Sequence, residues 1–426
     1  MTPLRVSHSK RYLVRASGEP FLWLGDTAWE LFHRLSREEA DFYLTTRARQ
    51  RFTVIQAVAL AEFDGLHLPN AYGEVPLEDD DPARPREAYF KHVDWIVRRA
   101  NELGLVMGFL PTWGDKVGPE VWGVGPEVFN PEKALAYGRF LGARYKDADL
   151  VWILGGDRGV ETPEQLAIWR ALAQGLAEGD GGIHLMTYHP WGGRSSSEYV
   201  GGEAWLDINM LQSGHGARDI ANWQMVQRDY NLTPAKPTLD GEPRYEDHAV
   251  NWDANNGYFD EVDVRQGLYW GLLAGGCGIT YGCHPIWQFW QPPMEPVTQA
   301  RTPWRQALEL PGANQIRHLR ALYESRGFLK LAPDNSIIAE GQGEGADHVQ
   351  AARDLDGRFL YAYVPTGKAL SVRTEVLSGT RIKAEWFDPR TGERADIGSW
   401  PASDTRAFEP PTSGRGSDWV LVVERA

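Results

Sequence analysis

Eight short apolar runs rich in Val, Ile, Leu and Phe recur along the first two thirds of the chain. They are FLWLGD (21–26), FTVIQAVA (52–59), LVMGFLPTW (105–113), LVWILGGD (150–157), IHLMTYHP (183–190), LDINMLQSGH (206–215), PTLDGEP (237–243) and GITYGCHPIW (278–287). Most lack strict polar alternation, so they read as strands buried on both faces. The segments between them carry helix signals. Ser36 followed by Glu39 is a capping box opening SREEADFYLTTRARQR. Between Arg86 and Glu102, apolar residues fall at helical spacing: Tyr89, Val93, Ile96, Val97 and Ala100. NPEKALAYGRFLGARY (130–145) begins with Asn as cap and Pro at the first helical position, and TPEQLAIWRALAQGLAEG (162–179) repeats that device. DVRQGLYWGLLAGG (263–276) leads into the eighth run, while Ser195–Gly201 is short and Ala217–Tyr230 poorly capped.

Buried strands alternating with helices imply parallel pairing and right-handed crossovers. The economical closure is an α/β fold, a (β/α)8 TIM barrel over residues 1–330 preceded by an N-terminal β-hairpin. A doubly wound open sheet is the alternative. It is weakened because GDTAWELF, after the first strand, contains no Gly-rich phosphate loop. From about Asn335 the period changes. SIIAEG, HVQAARD, RFLYAYV, LSVRTEV, RIKAEWFD and DWVLVVE are short segments, several alternating with period two, and RDLDGRF and FDPRTGE are turn signals between them. Residues 331–426 therefore read as a small antiparallel β-sandwich.

Composition then narrows the chemistry. The net charge of −14 would repel a phosphate backbone, so nucleic acid is not an expected partner. No apolar run approaches the roughly 20 residues of a membrane span, and MTPLRVSHSKRYLV shows no apolar signal core, so a cytoplasmic protein with no membrane partner is expected. Cys277 and Cys283 are the only cysteines and form no CxxC, which excludes a disulfide framework. The unusual number is 18 Trp, many in loop-like surroundings such as PTWGD, YHPWGG and HPIWQFW. Some must fill core, but indoles in loops after strands suit stacking on sugar faces. A small carbohydrate or glycoside is the expected partner; the sequence is silent on oligomeric state.

In a (β/α)8 barrel, catalytic groups sit at the C-terminal strand ends. Asp157 follows strand four, and Asp240 and Glu242 follow strand seven. Other strand ends supply Asp26 and Trp29, Gln56 with Glu62 and Asp64, Trp113 with Asp115, His189 with Trp191, Gln212 with His215, and His284 with Trp287. Carboxylates, imidazoles, amides and indoles around one mouth make a polyol-binding surface with acid–base capacity. Glycoside hydrolysis needs two carboxyl groups flanking the bond, about 5–5.5 Å apart for retention and about 6.5–9.5 Å for inversion. On that pattern Asp157 is the acid/base, its pKa raised by burial and a second carboxylate, and Glu242 the nucleophile. His189, Gln212 and His284 would hold hydroxyls or orient Glu242, and Trp29, Trp113, Trp191 and Trp287 would line the pocket. Competing roles stand beside these. Asp157 could pair with Arg158, Glu242 with Arg244, and Asp26 could bond backbone amides. His189, His215 and His284 could bind metal, although there is no HxH on strand one and no HExxH, so neither metal nor cofactor is expected.

The string RYLVRASGEPFLWLGDTAWELFHRLSREEADFYL resembles the opening of the barrel proteins once grouped as DUF4038 and now associated with apiosidase-like glycoside hydrolases, family GH140. QAVALAEFDGLHLPNAYGE, WILGGDR, LDGEPRYE and TYGCHPIWQ resemble further motifs of that group. The ending WFDPRTGE with FEPPTSGRGSDWVLVVE resembles its C-terminal sandwich, labelled collagen-binding. The resemblance implies a retaining exo-glycosidase with an Asp acid/base after strand four and a Glu nucleophile after strand seven, acting on a terminal apiosyl unit. Those roles map onto Asp157 in GGDR and Glu242 in DGEP. One departure is Ile279, where a polar residue is expected in many relatives; it is expected to alter the pocket. The sandwich is read as a stabilising or aperture-shaping module rather than a collagen binder.

Overall fold

The computed structural model describes residues 3–118, 122–402 and 405–426. The eight apolar runs form eight parallel strands: β1 (Trp23–Thr27), β2 (Val54–Val58), β3 (Val106–Leu110), β4 (Leu150–Gly155), β5 (Met186–His189), β6 (Asn209–Gln212), β7 (Thr238–Asp240) and β8 (Gly278–Cys283). Every residue in them is buried. Ladders join β1 through β5 in sequence, then β6 to β7, β7 to β8, and β8 back to β1. The remaining seam, β5 to β6, is bridged by side chain and backbone together. The Asp207 N–H donates to Met186 O (2.9 Å), the Met186 N–H to the Asp207 carboxylate (2.9 Å), and the Thr187 hydroxyl to Ile208 O (2.8 Å). The sheet is thereby closed into the (β/α)8 barrel the alternation predicts.

The outer ring comprises α1 (Arg37–Arg49), α2 (Glu87–Glu102), α3 (Pro131–Tyr145), α4 (Pro163–Asp180), α5 (Ser196–Val200), α6 (Asn222–Tyr230), α7 (Glu261–Leu273) and α8 (Pro311–Arg326). Ser36 with Glu39 and Thr162 with Gln165 form reciprocal capping boxes, and Asn130 caps α3. Two helices begin where the periodicity does not place them. Helix α6 starts at Asn222, because Arg218 instead reaches across to the Asp263 carboxylate and Tyr258 O. Helix α7 starts at Glu261 behind an Asp260 cap and stops before Gly275, whose φ is +105°. Helices α3 and α4 pack backbone to backbone. A Cβ on Gly142 would stand 2.4 Å from Leu176 O, and one on Gly175 2.4 Å from Leu135 O.

The N-terminal segment is a three-stranded antiparallel sheet rather than the expected hairpin; Pro20–Phe21 adds the third strand to Leu4–Val6 and Leu13–Arg15. It lies against the barrel's lower end, where Arg15 pairs with Asp149 at the entry to β4 (2.6 Å) and Arg5 donates to Ile183 O (2.8 Å).

After Leu331 the chain forms a six-stranded and a three-stranded antiparallel sheet enclosing their own core, with Leu360, Ala362, Val372, Ile382, Leu421 and Val423 at its centre. The strand Arg394–Pro401 carries no alternating signal, being exposed or half-buried throughout and broken by Gly398. This module is fastened to the barrel through buried charge. Asp418 accepts from Arg265 Nε (2.8 Å) and Nη2 (2.6 Å) of α7 and from the Tyr363 hydroxyl (3.0 Å). Tyr269 stacks on Tyr363, and Trp223 of α6 stacks on His348 at 3.8 Å. Removing one partner of a buried ion pair leaves an uncompensated charge. Asp418→Ala is therefore expected to cost about 3–5 kcal/mol in urea unfolding; a loss under about 1 kcal/mol would show that other contacts hold the two modules together.

Candidate active site

The turn after β4 places Asp157. Gly155, Gly156 and Asp157 have φ of +86°, +107° and +51° in succession. A Cβ on Gly155 would stand 2.4 Å from His189 O, and one on Gly156 2.9 Å from Gly114 N. Only glycine allows the strand to turn this close to β5 and to the loop after β3. Asp157 completes the turn in a conformation that costs energy for any residue with a Cβ. Its own N–H donates to His189 Nδ1 (3.1 Å). Arg158 does not neutralise it. That guanidinium donates to the carbonyls of Asp157 (2.8 Å), Gly118 (3.3 Å) and Trp122, and no ion pair joins it to the Asp157 carboxylate among the described residues. The half-buried carboxyl is left facing the cavity.

Glu242 emerges after β7 into the same cavity. His215 Nε2 stands 3.1 Å from Oε1 and His189 Nε2 3.0 Å from Oε2. Because His189 Nδ1 accepts the Asp157 N–H, its ring proton is assigned to Nε2, facing Glu242. Arg244 is turned away, donating to Arg218 O and Gln266 Oε1 (3.2 Å). The preceding acid, Asp240, is buried, accepting from the Ser213 hydroxyl (2.7 Å) and the Asn222 amide (3.1 Å). Beneath Glu242, the Gln56 amide donates to Gly241 O (3.1 Å) and accepts from the Thr280 hydroxyl (2.8 Å). A chain of hydrogen bonds through the barrel interior thus fixes the backbone that carries Glu242.

The two carboxyls are pushed in opposite directions. Burial, and then the charge of Glu242, raise Asp157 from its ordinary value to about 6. Burial would also raise Glu242, but the hydrogen bonds of His189 and His215 outweigh it and hold the group at about 2. Two adjacent acids separated in this way can serve as proton donor and anion at one pH. A third carboxyl, Glu62, is buried in the cavity wall. Burial and the neighbouring Glu30 push it well above its ordinary value; Trp122 Nε1–H bonds one of its oxygens.

The cavity has a volume of about 410 Å³. Its walls carry six indoles, those of Trp29, Trp113, Trp122, Trp191, Trp252 and Trp287. Glu62 Oε1, Trp113 Nε1, Gln212 Oε1, His215 Nδ1 and the Tyr245 hydroxyl are buried lining atoms with no hydrogen-bond partner among the described residues. Buried polar atoms are normally satisfied. Several orphans converging on one aromatic-walled space fit a ligand with many hydroxyls and flat C–H faces.

Of the residues singled out from sequence, Glu62, Trp29, Trp113, Asp157, Trp191, Gln212, Glu242, His284 and Trp287 line the cavity, and His189 backs it through Glu242. Three do not belong there. Asp26 is fully buried against Arg47 Nε (2.6 Å) and the Tyr43 hydroxyl (2.5 Å), an internal ion pair behind β1. Gln56 lies under the floor and acts on Gly241. Asp64 is an exposed loop residue paired with His67 (2.5 Å). Ile279, expected to alter the pocket, points outward, its Cδ1 against Gly271 of α7. The sandwich contributes no lining residue among those described. The histidines have other work. His284 accepts from Trp287 Nε1 (3.1 Å) and bonds Thr298 Oγ1 (2.9 Å), and burial pushes it down to about 3. His248, likewise lowered by burial to about 2, lies between His215 and His284. Among the described residues no cluster of three or more His, Cys, Asp or Glu is arranged to hold a metal ion.

Trp122, Tyr245, His248, Trp252 and Thr298 were not singled out, and His215 was named only as a strand-end polar residue and a possible metal ligand. They lie up to about fifteen residues beyond a strand end, where periodicity carries no signal. Only the loop compositions HAVNWDANNG (248–257) and QPPMEPVTQ (291–299) hint at them.

Comparison with known proteins identifies the family and the enzyme class. The family model "Apiosidase-like, catalytic domain" matches residues 7–330, and "Putative collagen-binding domain of a collagenase" matches residues 332–424. A solved structure described as a glycoside hydrolase is 33% identical, with 99% of this chain and 97% of that one covered and a TM-score of 0.91. A glycoside hydrolase family 5 structure from Bacteroides vulgatus is 32% identical, covering 99% and 93%, also with a TM-score of 0.91. No curated protein is similar enough to count as a match.

Proposed function

We propose, from the premise that this chain belongs to the apiosidase-like family and is a glycoside hydrolase, that it removes a terminal pentofuranosyl unit, apiosyl above all, with retention of configuration. Asp157 protonates the glycosidic oxygen while Glu242 attacks the anomeric carbon, giving a covalent glycosyl ester. Asp157, now ionised, then takes a proton from water as that water displaces Glu242. Glu62, Gln212 and Tyr245 hold ring hydroxyls, and the indoles of Trp29 and Trp113 pack on the sugar faces. The observation that carries the reading is the unequal treatment of two carboxyls in one cavity: Glu242 is clasped by His189 and His215 and lowered, while Asp157 has no ion-pair partner among the described residues and is raised to about 6.

The sugar is tested with a panel of p-nitrophenyl apiosides, arabinofuranosides and rhamnosides. The apioside is expected to give the highest kcat/KM, and a higher value for either competitor would reassign the sugar. Stereochemistry is read independently by proton NMR during the first turnovers. The β-anomeric signal should appear first from a β-linked substrate, and early appearance of the opposite anomer would make Glu242 a general base toward water.

A further inference from the structure

The backbone that carries Glu242 is anchored on both sides. Ahead of it, Gln56 holds Gly241 O. Behind it, the anchor is Arg244, separated from Glu242 only by Pro243, whose ring fixes φ. The next residue, Tyr245, lines the cavity together with Glu242. Arg244 is 2% exposed, yet it forms no ion pair among the described residues. The nearby carboxylates are taken, Asp240 by Ser213 and Asn222 and Asp263 by Arg218 and Arg415. Arg244 Nη1 donates to Arg218 O and Gln266 Oε1, and Nη2 has no hydrogen-bond partner among the described residues. The guanidinium lies against α7, with Nη2 2.8 Å from where a Cβ on Gly267 would stand.

A buried cation without a counter-charge depends on the few neutral groups that face it. Two of these, both on α7, have their other ends on the C-terminal sandwich. The Gln266 amide accepts from Arg244 Nη1 (3.2 Å) and donates through Nε2 to Ala346 O (2.9 Å). Only this orientation of the amide satisfies both neighbours, since a guanidinium cannot accept and a carbonyl cannot donate. The Trp270 ring faces the guanidinium, with 5.6 Å from Cζ to the ring centroid, and donates through Nε1 to His348 O (2.9 Å). Ala346 and His348 belong to one sandwich loop, residues 342–348. That loop is braced from its own side. Asp347 accepts from the Thr366 hydroxyl (2.7 Å) and pairs with Lys368 (2.5 Å), while His348 stacks on Trp223 of α6.

We infer that this sandwich loop is a positioning element of the active site: by holding Gln266 and Trp270 it fixes Arg244, and through Arg244 the backbone between Glu242 and Tyr245. Arg244, Gln266 and Trp270 are positioning residues, and none of them lines the cavity. The inference rests on reading Glu242 as the nucleophile but not on which sugar is cleaved. The test is the rate at which a 2-deoxy-2-fluoro glycoside of the sugar selected by the panel labels Glu242. It is measured with kcat and KM on the matching aryl glycoside, below the melting transition of every variant. Gln266→Leu breaks the route in the barrel, and Asp347→Ala loosens the loop from within the sandwich. Arg326→Gln is the control, because Arg326 joins α8 to Glu385 and Glu424 of the sandwich and shares no residue with the route. Gln266→Leu and Asp347→Ala should each slow labelling and kcat on the order of tenfold, with KM within about threefold of wild type. The double variant should be no slower than the slower single one, because both changes break the same route. Arg326→Gln should melt lower than wild type and label at the wild-type rate. Labelling of the single variants within about twofold of wild type, losses that multiply in the double variant, or equal slowing by Arg326→Gln overturns the inference. Should Gln266→Leu fail to fold, Asp347→Ala, a change confined to the sandwich, decides the matter against the same control. Label on a carboxyl other than Glu242 in the wild type would overturn the nucleophile reading and this inference with it. Wild-type label on Glu242 with unslowed variants overturns this inference alone.

Discussion

Glu242→Gln is expected to lower kcat on an aryl glycoside about 10⁴-fold or more while the protein keeps its fold. The amide has nearly the volume of the carboxylate, and its oxygen can still accept from His189 or His215. What is lost is the negative charge that those two imidazoles stabilise. A 2-deoxy-2-fluoro glycoside with a good leaving group gives a readout that does not depend on steady-state rates. It should add one sugar mass to the wild-type peptide containing Glu242 and none to the Gln variant. Turnover within about tenfold of wild type, or label on another carboxyl, would remove Glu242 from the nucleophile role. Loss of activity accompanied by a collapsed circular dichroism spectrum would instead point to a structural role.

The barrel was legible because its causes are local and periodic. LVWIL and its counterparts are apolar on both faces, and capping boxes such as Ser36 with Glu39 mark helix starts in plain sequence. Asp157 and Glu242 were legible for a related reason: GGDR and DGEP put acids immediately after such runs, where the topology delivers them to the mouth. Asp26 shows the limit of that rule. It also sits at a strand end, but Arg47, one helix later, reaches back to claim it, and nothing in the spacing separates an acid facing inward from one facing the adjoining helix. Gln56 likewise lies one layer too deep to touch a ligand. The reverse failure is Trp252, remote from any strand end and brought to the rim by a turn of left-handed residues. Non-glycine residues in that conformation are set by tertiary contacts, here with His215 and Gln299, which no window of sequence contains. The close approach of α3 and α4 through Gly142 and Gly175 is intermediate. The glycines are visible, but without the partner helix they read only as weak helix formers.

Asp157→Asn should separate the two halves of the reaction. The acid role contributes typically 10²–10⁴-fold, and that loss is expected in full for an alkyl or glycosyl leaving group that must be protonated as it departs. A dinitrophenolate leaves without help, so the first step should be far less affected and the covalent intermediate should accumulate as a burst. Added azide should restore turnover, because an anion needs no general base to displace Glu242. The pH profile checks the same assignment. With Glu242 held near 2 and Asp157 raised to about 6, wild-type kcat/KM should be flat between those values and fall about tenfold per pH unit above the upper one. The Asn variant should lose that basic limb. Stability should fall over the same pH range. A carboxyl whose folded pKa lies above its ordinary value binds its proton more tightly in the folded state. Its contribution is complete below about pH 4 and disappears as pH rises through about 6. At pH 7 the wild-type chain therefore keeps an ionised Asp157 near Glu242 at a cost that Asn does not carry, and the inactive variant should melt higher than its parent. A lower melting point at pH 7 together with an intact basic limb would mean that Asp157 holds the turn and that the proton comes from elsewhere, Glu62 being the other carboxyl in the cavity wall.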